Sequence, residues 1–202
     1  MTSDTRYGED IEELKELATT HFWPHSRQAA DMSSSTGVKM VDKAEGVWVH
    51  DVEGSTWMDT LSGLWLINIG HGRKEIAEAA YEQMVQLSYY PLSQVNPQSV
   101  KLAAKISEIT PESLQHVWFV NSGSEAVDTA IKISRAWGKR NGGRFKIIAR
   151  YQGYHGATFG GVSLTGQTQR RLDFEPLLPG IVHVQAPYFF RSSAKDEDEL
   201  TN

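Results

Sequence analysis

Residues 121–137, NSGSEAVDTAIKISRAW, make a Ser-Gly-Ser turn that opens directly into an amphipathic pattern, and this junction orders everything around it. Ahead of it the short apolar run 116–120 reads as a strand. The pattern itself predicts a helix over 124–140, with Ala126, Ala130, Ile133 and Trp137 on its buried side and Asn141-Gly142-Gly143 ending it. A second strand is expected over 145–149 and a third over 181–184. Strand, helix and strand at this spacing indicate an α/β fold with a mostly parallel sheet and ligands at the strand ends.

The same junction carries chemistry. A Ser-Gly-Ser turn at a helix start points several unpaired backbone N–H groups, and the positive end of the helix dipole, at one spot that suits a phosphate. About thirty residues on, YQGYHG (151–156) sets an aromatic ring and an imidazole, Tyr154 and His155, in a glycine-flanked loop. A phosphate grip and a flat stacking ring together suit a planar, phosphorylated cofactor. Each piece also has a plain structural reading. Ser122-Gly123-Ser124-Glu125 fits a capping box, with Ser122 bonding inward and Glu125 reaching back. Tyr154 and His155 fit loop residues that fill a gap in the core.

Upstream, Ile11, Leu14, Leu17 and Ala18 recur at helical spacing between charges and predict a short helix, broken at Pro24. A polar loop through Ser33-Ser34-Ser35 follows. Val47-Trp48-Val49, a turn at Glu53-Gly54 and a second run from Thr56 read as a β-hairpin. Another helix is expected from Glu75 to about Leu87, with Ile76, Ala80, Met84 and Leu87 on one face. Asn96-Pro97, an N-cap and a first-turn proline, start the next, striped by Leu102, Ile106 and Ile109.

Composition narrows the function classes. At 202 residues, 40% hydrophobic and 22% charged, the chain suits one globular domain or part of a larger one. Its formal net charge of −5, with no basic stripe, argues against a nucleic-acid partner. It has no cysteine, so it holds no disulfide or thiolate metal site, and no metal is expected. No apolar run nears the ~18 residues of a membrane helix, and the acidic start (Asp4, Glu9, Asp10, Glu12, Glu13) is unlike a signal or transit peptide. A soluble, cytoplasmic protein without a membrane partner is the expectation.

NSGSEAVDTAIK and YQGYHGATFGGVSLTG, together with GVWVHDVEGSTWMD and LSGLWLINIGHG upstream, resemble the class III aminotransferases. These form the omega-transaminase group of the fold-type I pyridoxal-phosphate (PLP) enzymes, and the resemblance runs from about Phe22 onward in four blocks in the right order. It implies a mixed, mostly parallel sheet with flanking helices. Residues 1–72 would then be the helix-and-hairpin beginning of the small domain, and 73–202 the first part of the PLP-binding large domain. It implies PLP as cofactor, an amine donor, a keto-acid acceptor such as pyruvate, and a homodimer. It puts Ser122, Gly123 and Ser124 at the phosphate, Tyr154 on the pyridine ring and facing the substrate, and His155 beside it. Trp65 matches a position that shapes the substrate pocket; a core tryptophan at a strand end is the other reading of it. Tyr89-Tyr90 lies where the family places pocket aromatics, with Tyr90 the candidate, while Ser93 stands where several relatives carry Phe, implying a roomier pocket. Phe22, Trp23 and His25 compete for an active-site aromatic near the N-terminus.

PLP chemistry also needs a lysine that forms a Schiff base and an acidic partner for the pyridine nitrogen. The ten lysines stand at 15, 39, 43, 74, 101, 105, 132, 139, 146 and 195. In the family the reactive lysine follows an Asp-Glu strand well beyond the YHG block, and nothing after Gly156 resembles either. The acidic run 196–199 has the spacing of a helix start, with a solvated acidic tail as its alternative. The chain is therefore read as the N-terminal half of such an enzyme, inactive by itself. The alternatives are a non-catalytic fold or dimerisation fragment, and a PLP aminomutase of the same fold, against which the GLW block weighs.

Overall fold

The computed structural model describes residues 11–25, 28–32, 37, 39–91 and 93–191. The loop at 33–35, Lys195 and the acidic run 196–199 lie outside the described residues. The chain divides into two compact units, Met1–Gln94 and Val95–Asn202.

In the first unit, α1 (Ile11–His21) is the amphipathic helix its spacing predicts. Its Lys15 ammonium donates to Glu12 at 3.1 Å and to Glu53, in the hairpin turn, at 2.7 Å. These bonds, Glu53 foremost, raise the lysine above its ordinary pKa. A short helix, α2 (Ala29–Met32), precedes an antiparallel meander of β1 (Val41–Glu45), β2 (Trp48–Asp51) and β3 (Thr56–Met58). β2 and β3 are the expected hairpin, with Val49 opposite Trp57 and His50 opposite Thr56. The Asp51 carboxylate makes its turn by accepting the N–H groups of Glu53 (3.1 Å) and Ser55 (2.7 Å). β1 extends this hairpin and was not foreseen. Its VDKAE sequence carries almost no apolar signal, and a bulge lies between Val41 and Lys43. That charged, irregular character suits an edge strand. After the tight turn α3 (Ser62–Trp65) comes α4 (Lys74–Gln86), the predicted helix, whose Ile76 and Met84 are exposed.

The second unit begins with α5 (Pro97–Ser107), capped as expected by the Asn96 side chain, which accepts the Ser99 N–H at 2.9 Å. Then come α6 (Gly123–Arg140), β4 (Ile147–Arg150), α7 (Phe159–Leu164) and β5 (Ile181–Val184). β4 and β5 pair in parallel, from Ile147 opposite Ile181 to Arg150 opposite Val184. The core is Ile131 of α6, Ala149 of β4 and Leu164 of α7, with Val127, Ile147 and Ile181 packed against them. Helices laid against a parallel pair make this unit α/β, as the alternation predicts.

Two expectations fail. The run 116–120 joins no ladder among the described residues. β4 and β5 pair only with each other among the described residues, and a strand exists only where a neighbour takes its N–H and C=O groups. The buried face of α6 is also the opposite of the predicted one. Ile133 is 55% and Trp137 60% exposed, and Ala126 and Ala130 are exposed too. The inward face is Ser124, Val127, Asp128, Ile131 and Gly138. Both rows have helical spacing, but the inner one mixes apolar and polar residues, so counting apolar residues selects the wrong side.

Candidate functional site

The first turn of α6 is capped from outside. The Ser122 hydroxyl accepts the Glu125 N–H at 3.2 Å. Glu125 reaches back as predicted, but to Asn121: its Oε2 accepts the Asn121 backbone N–H at 2.8 Å and the side-chain amide at 3.2 Å. The capping box is thus real, shifted by one residue at its returning arm. It does not use up the helix terminus. The N–H groups of Gly123 and Ser124 have no acceptor among the described residues. An added Cβ at Gly123 would meet nothing within 4 Å, so the space before the helix is open. Two unspent donors at the positive end of an 18-residue helix favour an anion there.

The loop with Tyr154 and His155 closes onto this terminus. The Ser124 hydroxyl oxygen accepts the Ala157 N–H at 3.1 Å, joining residues 33 apart. That contact needs Gly156: its φ is 120°, and a Cβ there would lie 2.6 Å from Ser124 Oγ. Thr158 caps α7 by accepting the Gly161 N–H at 3.2 Å, and its hydroxyl donates to Asp128 Oδ1 at 2.9 Å. Thr165, with no exposed surface, accepts the His155 N–H at 3.0 Å and donates to the Gly161 carbonyl at 3.0 Å. The loop is therefore pinned at three points while Tyr154 stays half exposed, with the Arg170 guanidinium 5.3 Å from its ring centroid.

The sequence singles out Ser122, Gly123, Ser124, Tyr154 and His155, and all five belong to this one assembly of helix terminus and loop. It misses the residues that hold them. Thr158 could have been found as a helix cap, and Asp128 as a carboxylate on the inward face of α6. Arg170 carries no sequence signal.

Trp65 and Tyr90 belong to the first unit. Tyr90 is exposed in the segment after α4. Trp65 ends an unusual turn. Ser62, Gly63, Leu64 and Trp65 have φ of 50°, 57°, 63° and 71°, a single left-handed helical turn, and its side chain is 72% exposed. Three of the four are not glycine, so the turn costs roughly 3–6 kcal/mol in backbone energy. The Asp59 carboxylate holds it, accepting the Gly63 N–H at 2.6 Å and the Leu61 N–H at 3.3 Å. The His71 ring bonds the same carboxylate at 3.0 Å. His71, then the Gly63 and Leu61 N–H groups, hold the Asp59 carboxyl below its usual pKa.

The described lysines stand on α1, before and on β1, at the start of α4, on α5, on α6 and before β4. None is bonded to residues 121–124 or 153–156. Lys132 is eight residues along α6 from Ser124, about 12 Å of helix rise. No helix among the described residues is long and apolar enough to cross a membrane.

Comparison with known proteins shows the family and the fold. The profile of the family described as aminotransferase class-III matches residues 30–202. An uncharacterized aminotransferase of Bacillus subtilis, YhxA, is 44% identical over 189 residues, covering 93% of this chain and 41% of that protein. The putrescine–pyruvate aminotransferase of Pseudomonas aeruginosa is 37% identical, covering 88% of this chain and 40% of that protein. The crystal structure of an (S)-enantioselective omega-transaminase from Thermomicrobium roseum superposes with a TM-score of 0.86 at 37% identity, covering 91% of this chain and 42% of that one. The chain thus spans about two fifths of the length of the relatives it matches.

Proposed function

The chain belongs to the class III aminotransferases, and we propose that it is the N-terminal part of a PLP-dependent enzyme that moves an amino group from an amine or ω-amino acid to a keto acid such as pyruvate. The support for a longer protein is the two-fifths coverage; the support for an amine and pyruvate is the named activity of the Pseudomonas relative. In this reading residues 1–72 belong to the small domain and 73–202 to the cofactor domain. A homodimer and a cytoplasmic location are part of the same proposal.

One observation carries the reading: Ser124 bonds Ala157, so the unspent N–H groups of α6 and the Tyr154 ring are held in one assembly. These residues fit the cofactor. Gly123 and Ser124 would hold the phosphate through backbone N–H groups, with the Ser124 hydroxyl proton still free to donate, since its oxygen accepts from Ala157. Ser122, spent as the helix cap, fixes the direction of those donors. Tyr154 would offer its exposed face to the ring, and the His155 backbone, tied to buried Thr165, would keep that face in place. Trp65 and Tyr90 are proposed to face the substrate. When bound, the cofactor supplies an electron-accepting ring for the amino-group transfer. The covalent anchor would come from a lysine of the longer protein, which is what the two-fifths coverage of the relatives supports.

The test is direct. The 202-residue chain and the longer protein containing it are each incubated with PLP, an amine donor and pyruvate, and alanine is followed. Alanine from the longer protein only is the expected result. Turnover by the 202-residue chain above free PLP would overturn the assignment of the lysine. No alanine from the longer protein with any amine would overturn the reaction.

A further inference from the structure

The turn that carries Trp65 is strained without any return in core burial. Leu64, Trp65 and Leu66 are all strongly exposed, so a turn with left-handed backbone at Ser62, Leu64 and Trp65 presents its large apolar side chains outward. Backbone held in a sparsely populated region persists only where its surroundings over-determine it, and such places cluster at functional sites.

The surroundings here form a continuous chain of bonds. Asp59 is fixed to the sheet by its own N–H, which donates to the Val47 carbonyl at 2.8 Å. His71 is fixed one residue away, exchanging two backbone hydrogen bonds with Gly46, at 2.8 and 3.1 Å. The two side chains meet at 3.0 Å, both largely covered, beside an apolar hollow of about 440 Å³ between sheet and turn. The Asp59 carboxylate then takes the N–H groups of Leu61 and Gly63 at the start of the turn. The turn closes on itself, with the Trp65 N–H on the Leu61 carbonyl at 2.8 Å and the Leu66 and Ile67 N–H groups on Ser62 at 2.9 and 2.8 Å. The Ser62 N–H also donates to the Asp59 carbonyl at 3.5 Å. Among the described residues, the side-chain hydrogen bonds to the backbone of residues 61–65 are those that Asp59 accepts. The direction of the Trp65 backbone is therefore set by a carboxylate–imidazole pair standing on the β1–β2 turn.

We propose that Asp59 and His71 are positioning residues for substrate selection: they lock the left-handed turn that aims Trp65, and so set how large an amine the enzyme accepts. This rests on the reading of Trp65 as a wall of the substrate pocket. A flexible turn would let the indole swing aside and admit bulkier amines; the locked turn keeps it a fixed boundary. A misplacement of about 1 Å in a positioning element can change a rate by up to about a hundredfold.

The experiment uses the full-length holoenzyme with pyruvate as acceptor. It reads kcat/KM for 1-phenylethylamine against β-alanine, and PLP retention by absorbance. Trp65→Ala is expected to shift the ratio toward the bulky amine by about tenfold or more. Asp59→Asn should shift it the same way by severalfold, with PLP retention unchanged, and should add nothing on top of Trp65→Ala. His71→Asn, which keeps the carboxylate and both its N–H bonds, should give a smaller shift in the same direction; it decides the question if Asp59→Asn fails to fold. If Trp65→Ala leaves the ratio where it was, the reading of Trp65 is wrong and the inference goes with it. If Trp65→Ala moves the ratio but Asp59→Asn and His71→Asn do not, or they slow both amines equally, the inference alone is overturned.

Discussion

Two turns in this molecule each hold an aromatic ring at the surface, and they do it by different physics. The Trp65 turn is fixed by one carboxylate and one imidazole, against the intrinsic preference of its own backbone. The Tyr154 loop is fixed by close packing: a glycine against Ser124, a threonine with no exposed surface, and a short helix, α7, buried along most of its length. The first arrangement concentrates its stability in a charge that can be titrated or removed. The second spreads it over contacts that tolerate no added volume. The proposed division of labour follows the same line, with a compact frame for the cofactor and, for the substrate, a boundary held in place by one carboxylate–imidazole pair.

Adding a methyl group to each region breaks the comparison most sharply. Gly166 follows the buried Thr165, and a Cβ there would overlap the Arg150 carbonyl and the Tyr151 and Gln152 backbone. Gly166→Ala should destabilise the protein by about 3 kcal/mol or more, seen as an early thermal transition. Gly63→Ala meets only the Ile67 side chain, 2.8 Å away, which can move, but adds strain at φ 57°; about 1 kcal/mol is expected. Equal losses at the two positions would erase the distinction.

Thr158→Ala removes a helix cap and leaves Asp128 without its hydroxyl partner. A loss of about 1–2 kcal/mol is expected in chemical denaturation. Tyr154→Ala, in the enzyme with PLP, should weaken cofactor binding by about 0.5–1.5 kcal/mol, read from PLP dissociation.

The smallest effect is one of pH, and it belongs to the Trp65 turn alone. Asp59 has a depressed pKa in the fold, so its stabilisation is complete above the unfolded-state value near ~3.9 and is lost as pH falls through the lower folded value. The difference in melting temperature between the natural protein and Asp59→Asn should therefore be steady from about pH 7 to 5 and shrink below about pH 4. A difference independent of pH would show that the carboxylate charge does not hold the turn.

Much of this was legible in the sequence, and the gaps have one cause. α6, the hairpin, the Asn96 cap and β5 follow from local rules of period and capping, which need no knowledge of neighbours. The Ser122 cap and the return of Glu125 were likewise readable. What failed depends on a partner. Residues 116–120 have the composition of a strand but, among the described residues, no strand beside them. α6 has two candidate faces, and what decides between them lies across the contact: Ala157 and Thr158 for Ser124 and Asp128, and Ala149 and Leu164 for Ile131. The left-handed turn at Ser62–Trp65 was invisible because Ser, Leu and Trp have no preference for it; Asp59 and His71, three residues before and six after, impose it.

The central claim is that the α6 terminus grips the cofactor phosphate while Trp65 touches substrate only. PLP dissociation followed by absorbance in the full-length enzyme tests it most directly, in Ser124→Ala and Trp65→Ala side by side. Ser124→Ala should lose about 1.5–3 kcal/mol of cofactor affinity, a hydrogen bond to a charged group, and Trp65→Ala almost none while changing which amines are accepted. Cofactor loss from Trp65→Ala as severe as from Ser124→Ala, or none from Ser124→Ala, would contradict the account.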